Sequence, residues 1–355
     1  MMNKKFSQEG MWKMKSVGIV GATGYAGVEL CRLLLSHPEV EIKSIASQTF
    51  AGKKLSEVYP AFYGICDMEL ISPDDISGCD ILFLALPHGL SEEYTAKVID
   101  SGTIVIDLGA DFRLEDESEY EAWYRKTFTH PELHALSAYG LPELFRESIK
   151  GKKIIANPGC YPTATALGVY PALKTGLCDP KHIIVDAKSG VTGSGRNLSE
   201  ITHYPECNEA FAPYKVAEHR HTPEIEQTLS KAVDGVRITF VPHLLPLNRG
   251  IIITSYIDLK DVVEEDYLRE VYEKFYSNEK FVRFLPKGKV ANLKNVKFTN
   301  YCDVSIHVDK RTNTLVTVST IDNMVKGAAG QAVQNMNIAL NLPEDMGLDI
   351  VPPSF

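Results

Sequence analysis

The sequence contains no apolar run near the roughly 18 residues that a membrane helix needs, so no membrane span is expected. It has no surplus of positive charge. Its 37 lysines and arginines stand against 46 aspartates and glutamates, a formal net charge of −9, which argues against a nucleic-acid partner. Nor does it pair its cysteines: there are seven, an odd number, and none forms a CxxC step. A disulfide framework and a thiolate zinc site are excluded on that count, and a reducing cytoplasm fits best. No internal repeat and no low-complexity linker breaks the chain. The opening stretch, MMNKKFSQEGMWKMK, has four lysines and no continuous apolar core, which is not a secretory signal. Residues 1–15 are expected to be a disordered extension or the product of an early start codon.

What is present is a globular composition, 44% hydrophobic and 23% charged, over 355 residues. That is too long for one ordinary core, so two domains are expected. The early segments alternate. SVGIV reads as a buried strand, a helix follows from about Val28 to Leu35, and VEIKSIAS, CDILFLALPHG and TIVIDLGA read as further strands. Such alternation predicts an α/β fold with an N-terminal Rossmann-type doubly wound domain, residues 16–157. After residue 160 the strands lengthen: HIIVDAKSG, VRITFVPHLL, GIIITSYIDL, NYCDVSIHV and TLVTVSTID, the last two flanking a hairpin turn at DKRTN. This part, residues 158–323, predicts an α+β domain with a mostly antiparallel sheet. The last helical stretch keeps helical spacing through Val325, Ala328, Ala329, Ala332, Val333 and Met336. Gly327 and Gly330 inside it cost about 1 kcal/mol each, which implies close approach to a neighbour.

Two motifs carry chemistry. The first is GATGYAG, with Gly21, Gly24 and Gly27 between a strand and a helix. Glycines there let the backbone approach a pyrophosphate, and the helix end supplies N–H groups and a positive dipole. An NAD site usually closes the next strand with a carboxylate for the ribose hydroxyl. Here that strand ends in SIASQTFAGKK, without one. Ser47, Gln48 and Thr49 offer hydrogen bonds and Lys53 and Lys54 offer charge, which favours the 2′-phosphate of NADP.

The second motif is NPGCYPTAT. It sets Cys160 at the mouth of a helix between a Pro-Gly and a Tyr-Pro pair. The helix dipole favours a thiolate there by about 0.3–1 kcal/mol, too little alone to make an efficient nucleophile, so a base is wanted. HRHTPE offers His219 and His221 just ahead of a helix capped by Thr222, with Glu224 as a first-turn acid. Two histidines two apart could also hold zinc, but no third ligand motif stands with them, so no metal is expected.

In order along residues 16–342 the chain carries GATGYAGVEL, ALPHGLS, DLGADFRL, YGLPEL, NPGCYPTAT, DAKSGVTGSGR, HRHTPEI, VPHLLPLNRGI and IDNMVKGAAGQAVQNMN. In these nine motifs it resembles the N-acetyl-gamma-glutamyl-phosphate reductases, NADPH enzymes of arginine biosynthesis. The resemblance implies Cys160 as nucleophile and His219 as acid/base with Glu224 assisting. It implies Thr23, Gly24, Tyr25 and Ala26 at the pyrophosphate, Ser47 at the adenosine end, and Pro87 flanking the nucleotide. Ser189 and Gly190 would lie by the nicotinamide. Asn323 would begin a helix, 324–342, that returns to complete the first domain. Asn157, Arg113 and Arg196 are the candidates for substrate. Many relatives have arginine where this chain has Gln48, which leaves two alternatives: Lys53 and Lys54 substitute for it, or NADH is tolerated. The implied partners are a small acyl phosphate and further copies of the chain, as a homodimer or homotetramer. Two other readings stand beside this one: a sister reductase acting on a carrier-bound aminoadipyl phosphate, and a non-catalytic NADP-binding regulator.

Overall fold

The computed structural model describes residues 14–354. The expectation for residues 1–13 lies outside the described residues, while Lys15 already opens the first strand. The first sheet has seven strands: β1 (Lys15–Val20), β2 (Val40–Ala46), β3 (Leu70–Ile71), β4 (Ile81–Leu84), β5 (Ile104–Asp107), β6 (Ser137–Tyr139) and β7 (Ile154–Ala156). Their order is β3-β2-β1-β4-β5-β7-β6, and every neighbouring pair is parallel. Central β4, ILFL, is buried at all four positions, as a parallel strand covered on both faces must be. This is the doubly wound sheet that the alternation predicts.

The second sheet also has seven strands: β8 (Cys178–Gly190), β9 (Ala212–Pro213), β10 (Ile238–Leu245), β11 (Ile251–Leu259), β12 (Val282–Phe284), β13 (Cys302–Asp309) and β14 (Thr314–Ile321). The order is β12-β13-β14-β11-β8-β10-β9. Four neighbouring pairs are antiparallel, and β8–β10 and β12–β13 are parallel. The sheet is mostly antiparallel but mixed. The long connection from β8 to β10 carries the helix His221–Ser230, and such a crossover returns a strand in parallel. β13 and β14 form the expected hairpin, with Asn313 at φ 54° in its turn.

The helix Cys160–Leu173 is the axis of the second core. All of its residues except Cys160 are buried, among them Tyr161, Leu167, Val169 and Leu173. An all-round buried helix shows no apolar stripe, because every face meets protein. The C-terminal stretch divides in two. Val325–Ala329 is a π-helical turn, and an α-helix follows from Gly330 to Ala339. Val325, Ala329, Ala332, Val333 and Met336 join the core of the first sheet. The other faces are buried too, and hold Lys326, Gln331, Gln334, Asn335 and Asn337.

Candidate active site

The glycine loop follows directly from β1. Gly21 has φ 83°, and a Cβ there would fall on the carbonyl oxygen of Ala85. A Cβ on Gly27 would fall on the Gly21 carbonyl. These two glycines are demanded by protein backbone. Gly24 is different: its Cβ would meet only the Gly21 oxygen at 3.4 Å, an ordinary contact. Gly24 is the N-cap of the helix Tyr25–Leu34 and makes no side-chain cap, so the first-turn amides lack an intrahelical acceptor, the arrangement by which helix N-termini bind anions. Thr23 and Ser47 share a buried hydroxyl–hydroxyl bond of 2.7 Å, and Ser47 also accepts from the Phe50 amide at 3.3 Å. Both hydroxyls therefore hold the loop in shape.

Arg196, a substrate candidate by resemblance, makes its contacts at this loop. Its Nη1 donates to the Thr23 carbonyl at 3.0 Å, beside the Tyr59 hydroxyl, which donates to the same oxygen at 2.8 Å. The guanidinium lies 4.7 Å from the Tyr59 ring and 5.3 Å from that of Phe50, and the Lys53 ammonium lies 5.8 Å from the Phe50 ring. Gln48, Lys53 and Lys54 are exposed. Next to the loop an open cavity of about 520 Å³ is lined by Tyr25, Thr192, Arg196, His203, Tyr204 and Asn248.

Cys160 begins its helix with Gly159 as N-cap, and it is partly exposed. The Gly159 amide donates to Glu224 Oε1 at 2.8 Å. The Tyr139 hydroxyl donates to the same oxygen at 2.9 Å, and Arg113 Nη1 stands 3.3 Å from Oε2. Glu224 is fully buried and has no reach left for substrate; it anchors the backbone ahead of the nucleophile. Arg113 is also committed, with Nε on the Asn157 carbonyl and Nη2 on the Leu108 carbonyl, both at 2.8 Å. Burial pushes the Cys160 thiol up to about 11, against a counter-pull from the Arg113 charge. At rest the group is a neutral thiol.

Two histidines stand near the Cys160 helix start: His221 packs against Gly159, and the His219 ring lies 4.8 Å from that of His221 and 5.6 Å from that of Tyr161. His221 Nε2 packs where a side chain on Gly159 would stand. The helix starts at His221, earlier than a Thr222 cap would put it, because His219 organises the turn. The His221 amide donates to His219 Nδ1 at 3.1 Å and the Thr222 amide donates to the His219 carbonyl at 2.9 Å. That bond leaves the proton of a neutral His219 on Nε2. Burial, with His221 and the charges of Lys215 and Arg220 nearby, holds His219 down to about 2. Burial and Arg113 hold His221 well below the usual imidazole range. Both rings are neutral near pH 7. The π-helical turn also reaches the Cys160 side chain, where a Cβ on Gly327 would stand 2.8 Å from that of Cys160. This is the close approach that the glycines in the last helix imply.

The remaining candidates divide. Ser189 and Gly190 end β8, the serine buried with its hydroxyl on the Gly190 carbonyl at 2.9 Å. Asn323 ties two neighbouring turns, with Oδ1 accepting from the Gly250 amide at 2.7 Å and Nδ2 donating to Thr192 Oγ1 at 2.9 Å. Pro87 is exposed just beyond β4. Asn157 is spent internally, its amide donating to the Ala328 carbonyl at 3.1 Å and its oxygen accepting from Asn335 at 3.0 Å. Tyr139, inside the YGLPEL motif, is the residue that sequence reading passed over; a tyrosine there has no local signature, and only the fold sets it on Glu224. Among the described residues no cluster of three or more histidines, cysteines or carboxylates forms a metal site.

Known proteins match this arrangement over nearly the whole chain. The family model described as "Semialdehyde dehydrogenase, NAD binding domain" matches residues 16–152, and that described as "Semialdehyde dehydrogenase, dimerisation domain" matches residues 160–323. The N-acetyl-gamma-glutamyl-phosphate reductase of Clostridium beijerinckii is 53% identical over 96% of this chain and 100% of its own length. That of Brachyspira hyodysenteriae is 52% identical with the same coverage. In fold the chain is similar to aspartate semialdehyde dehydrogenase II of Vibrio cholerae, solved in complex with ASA, at a TM-score of 0.71 and 15% identity over 93% of this chain and 99% of that one. It is likewise similar to aspartate semialdehyde dehydrogenase of Candida albicans, solved with NADP, at 0.69 and 17% over 92% and 98%. Two consecutive semialdehyde dehydrogenase domains and half-identical relatives of matching length lead to one conclusion: the chain belongs to the N-acetyl-gamma-glutamyl-phosphate reductase family.

Proposed function

We propose that this chain reduces N-acetyl-gamma-glutamyl phosphate to N-acetylglutamate 5-semialdehyde with NADPH, in arginine biosynthesis. The observation that carries the reading is the thiol of Cys160 at a helix mouth, with its preceding amide pinned by Glu224 and two neutral histidines alongside. In this mechanism the sulfur attacks the γ-acyl carbonyl as its proton passes through the neutral His221 ring to the departing phosphate. Phosphate departs and a thioester on Cys160 remains. Helix-start amides are suited to the oxyanion. NADPH, when bound, supplies the hydride that reduces the thioester to the aldehyde level. His219 carries Nε2–H towards the reacting carbonyl, and a proton drawn from solvent by way of His219 restores the thiol as the semialdehyde is released; acid/base help of this kind is worth about 10²–10⁴ in rate. Glu224 and Arg113 are positioning residues for the nucleophile.

The loop residues fit a dinucleotide: the Gly24 cap leaves room for a pyrophosphate on the first-turn amides. Thr23, Tyr25 and Ala26 would hold it, with Ser47 at the adenosine end and Ser189, Gly190 and Asn323 towards the nicotinamide. Arg196 and Lys53 around Phe50 supply positive charge near the end of β2, which supports NADP over NAD despite Gln48. Arg196 thus passes from the substrate set to the cofactor set. A homo-oligomer is supported by the description of the second matched domain and by an exposed apolar face that includes Leu198, Ile201, Tyr204 and Phe211. Among the described residues no helix is long and apolar enough to cross a membrane. We assign the enzyme to the cytoplasm.

The test is the reverse reaction. N-acetylglutamate semialdehyde with NADP⁺ should give NADPH only when phosphate is added, and NAD⁺ should serve less well. Oxidation without phosphate would mean that water resolves the thioester. No reaction despite NADP binding would favour the aminoadipyl-type substrate or a regulator.

A further inference from the structure

One arginine joins the two halves of the site and belongs to neither. Arg249 lies in the turn between β10 and β11. Its guanidinium forks onto Glu29, with Nη1 to Oε1 at 3.1 Å and Nη2 to Oε2 at 2.7 Å. Glu29 sits on the glycine-loop helix with its side chain only 3% exposed. The same Nη1 stands 3.5 Å from Asp322 Oδ1, and the guanidinium covers the Phe298 ring at 4.9 Å. Asp322 is fully buried and accepts from the amides of Met324 at 2.8 Å and Val325 at 3.1 Å. Those amides open the turn that presses Gly327 against Cys160. The residues flanking Arg249 hold the turns of Thr192 and Asn323. The Asn248 carbonyl accepts from the Thr192 hydroxyl at 2.5 Å, and the Gly250 amide donates to Asn323.

Stability alone is a weak reason for such an arrangement, since a desolvated ion pair contributes little net free energy. Geometry is a stronger one. A planar fork fixes distance and angle together, which an ammonium cannot. We propose that Arg249 is a positioning residue that locks the glycine-loop helix to the Asp322 turn, so that nucleotide bound on one side is registered at the thiol on the other. The inference rests on the reductase reading for its cofactor and nucleophile.

The test uses the full-length protein, NADP⁺ and iodoacetamide, with Cys160 alkylation followed by mass spectrometry. In the wild type NADP⁺ should change the alkylation rate by at least about threefold, a modest coupling. In Arg249→Met that change should disappear. Its kcat at saturating NADPH should fall about 10²-fold, the usual scale for a misplaced reacting group, while NADPH affinity falls less than about fivefold. Glu29→Gln should show the same split more weakly, and Arg249→Lys should recover little. The proposal is overturned if NADP⁺ leaves wild-type alkylation unchanged. It is also overturned if Arg249→Met keeps kcat within about threefold, or loses kcat, affinity and melting temperature together. Should Arg249→Met fail to fold, Glu29→Gln decides by the same two readings. Alkylation and NADP binding need no acyl phosphate, so a wrong substrate would show in the reverse assay and leave this test standing.

Discussion

The glycine loop and the cysteine site are built in opposite ways. The loop is one contiguous stretch, residues 21–27, braced mainly by its own backbone and by single contacts from Ser47, Tyr59, Ala85 and Arg196. The cysteine site is assembled from segments far apart in sequence: Arg113, Tyr139, Gly159, the 219–224 stretch and Gly327. A site made of local backbone is dictated by steric rules that act over a few residues. A site made of distant side chains exists only when both sheets are in place. The first is thus a binding cradle with little adjustable chemistry, and the second is where protonation states are set.

The sharpest separation comes from Cys160→Ala. Turnover should drop by at least about 10⁴-fold, as for other lost nucleophiles, while NADPH binding, followed by fluorescence, stays within about twofold. A substantial residual rate would place the nucleophile elsewhere.

Gly27→Ala attacks the opposite region. With backbone on two sides of the new methyl group, unfolding in denaturant should report a loss of about 2–4 kcal/mol. NADPH affinity should fall with it, by about tenfold or more, which corresponds to some 1.4 kcal/mol. An unchanged protein would show that the loop can shift, and the contrast between a rigid cradle and an assembled site would lose its basis.

The smallest effect concerns titration. A thiol raised to about 11 is protonated across the neutral range, so its thiolate fraction should climb about tenfold per pH unit from 7 to 9. Alkylation of Cys160 in the cofactor-free protein should follow that slope. A plateau near pH 8.5 would mean that the surroundings leave the thiol unperturbed.

Much of this was legible beforehand. Strand and helix alternation pointed to the parallel sheet, and the glycines of the loop carry their own steric reasons. The thiol at a helix mouth could be read because Gly159 and Pro162 flank it in sequence. Other residues have contacts that the sequence does not announce. Arg196 looked like a substrate arginine because a basic side chain carries no address; its partners Thr23, Phe50 and Tyr59 are more than 130 positions away. Asn157 stands in the nucleophile motif, yet its amide serves Ala328 and Asn335. Glu224 was a first-turn acid by position, and only burial against Arg113, Tyr139 and Gly159 made it an anchor.

By itself the sequence determined the elements whose causes are local: apolar strand runs, the two steric glycines and the Cys160 helix start. Tertiary structure alone decided which charges meet. The Glu29–Arg249–Asp322 fork, the neutral state of His219 and the raised thiol depend on burial and on through-space distance, and neither quantity is written in the order of residues.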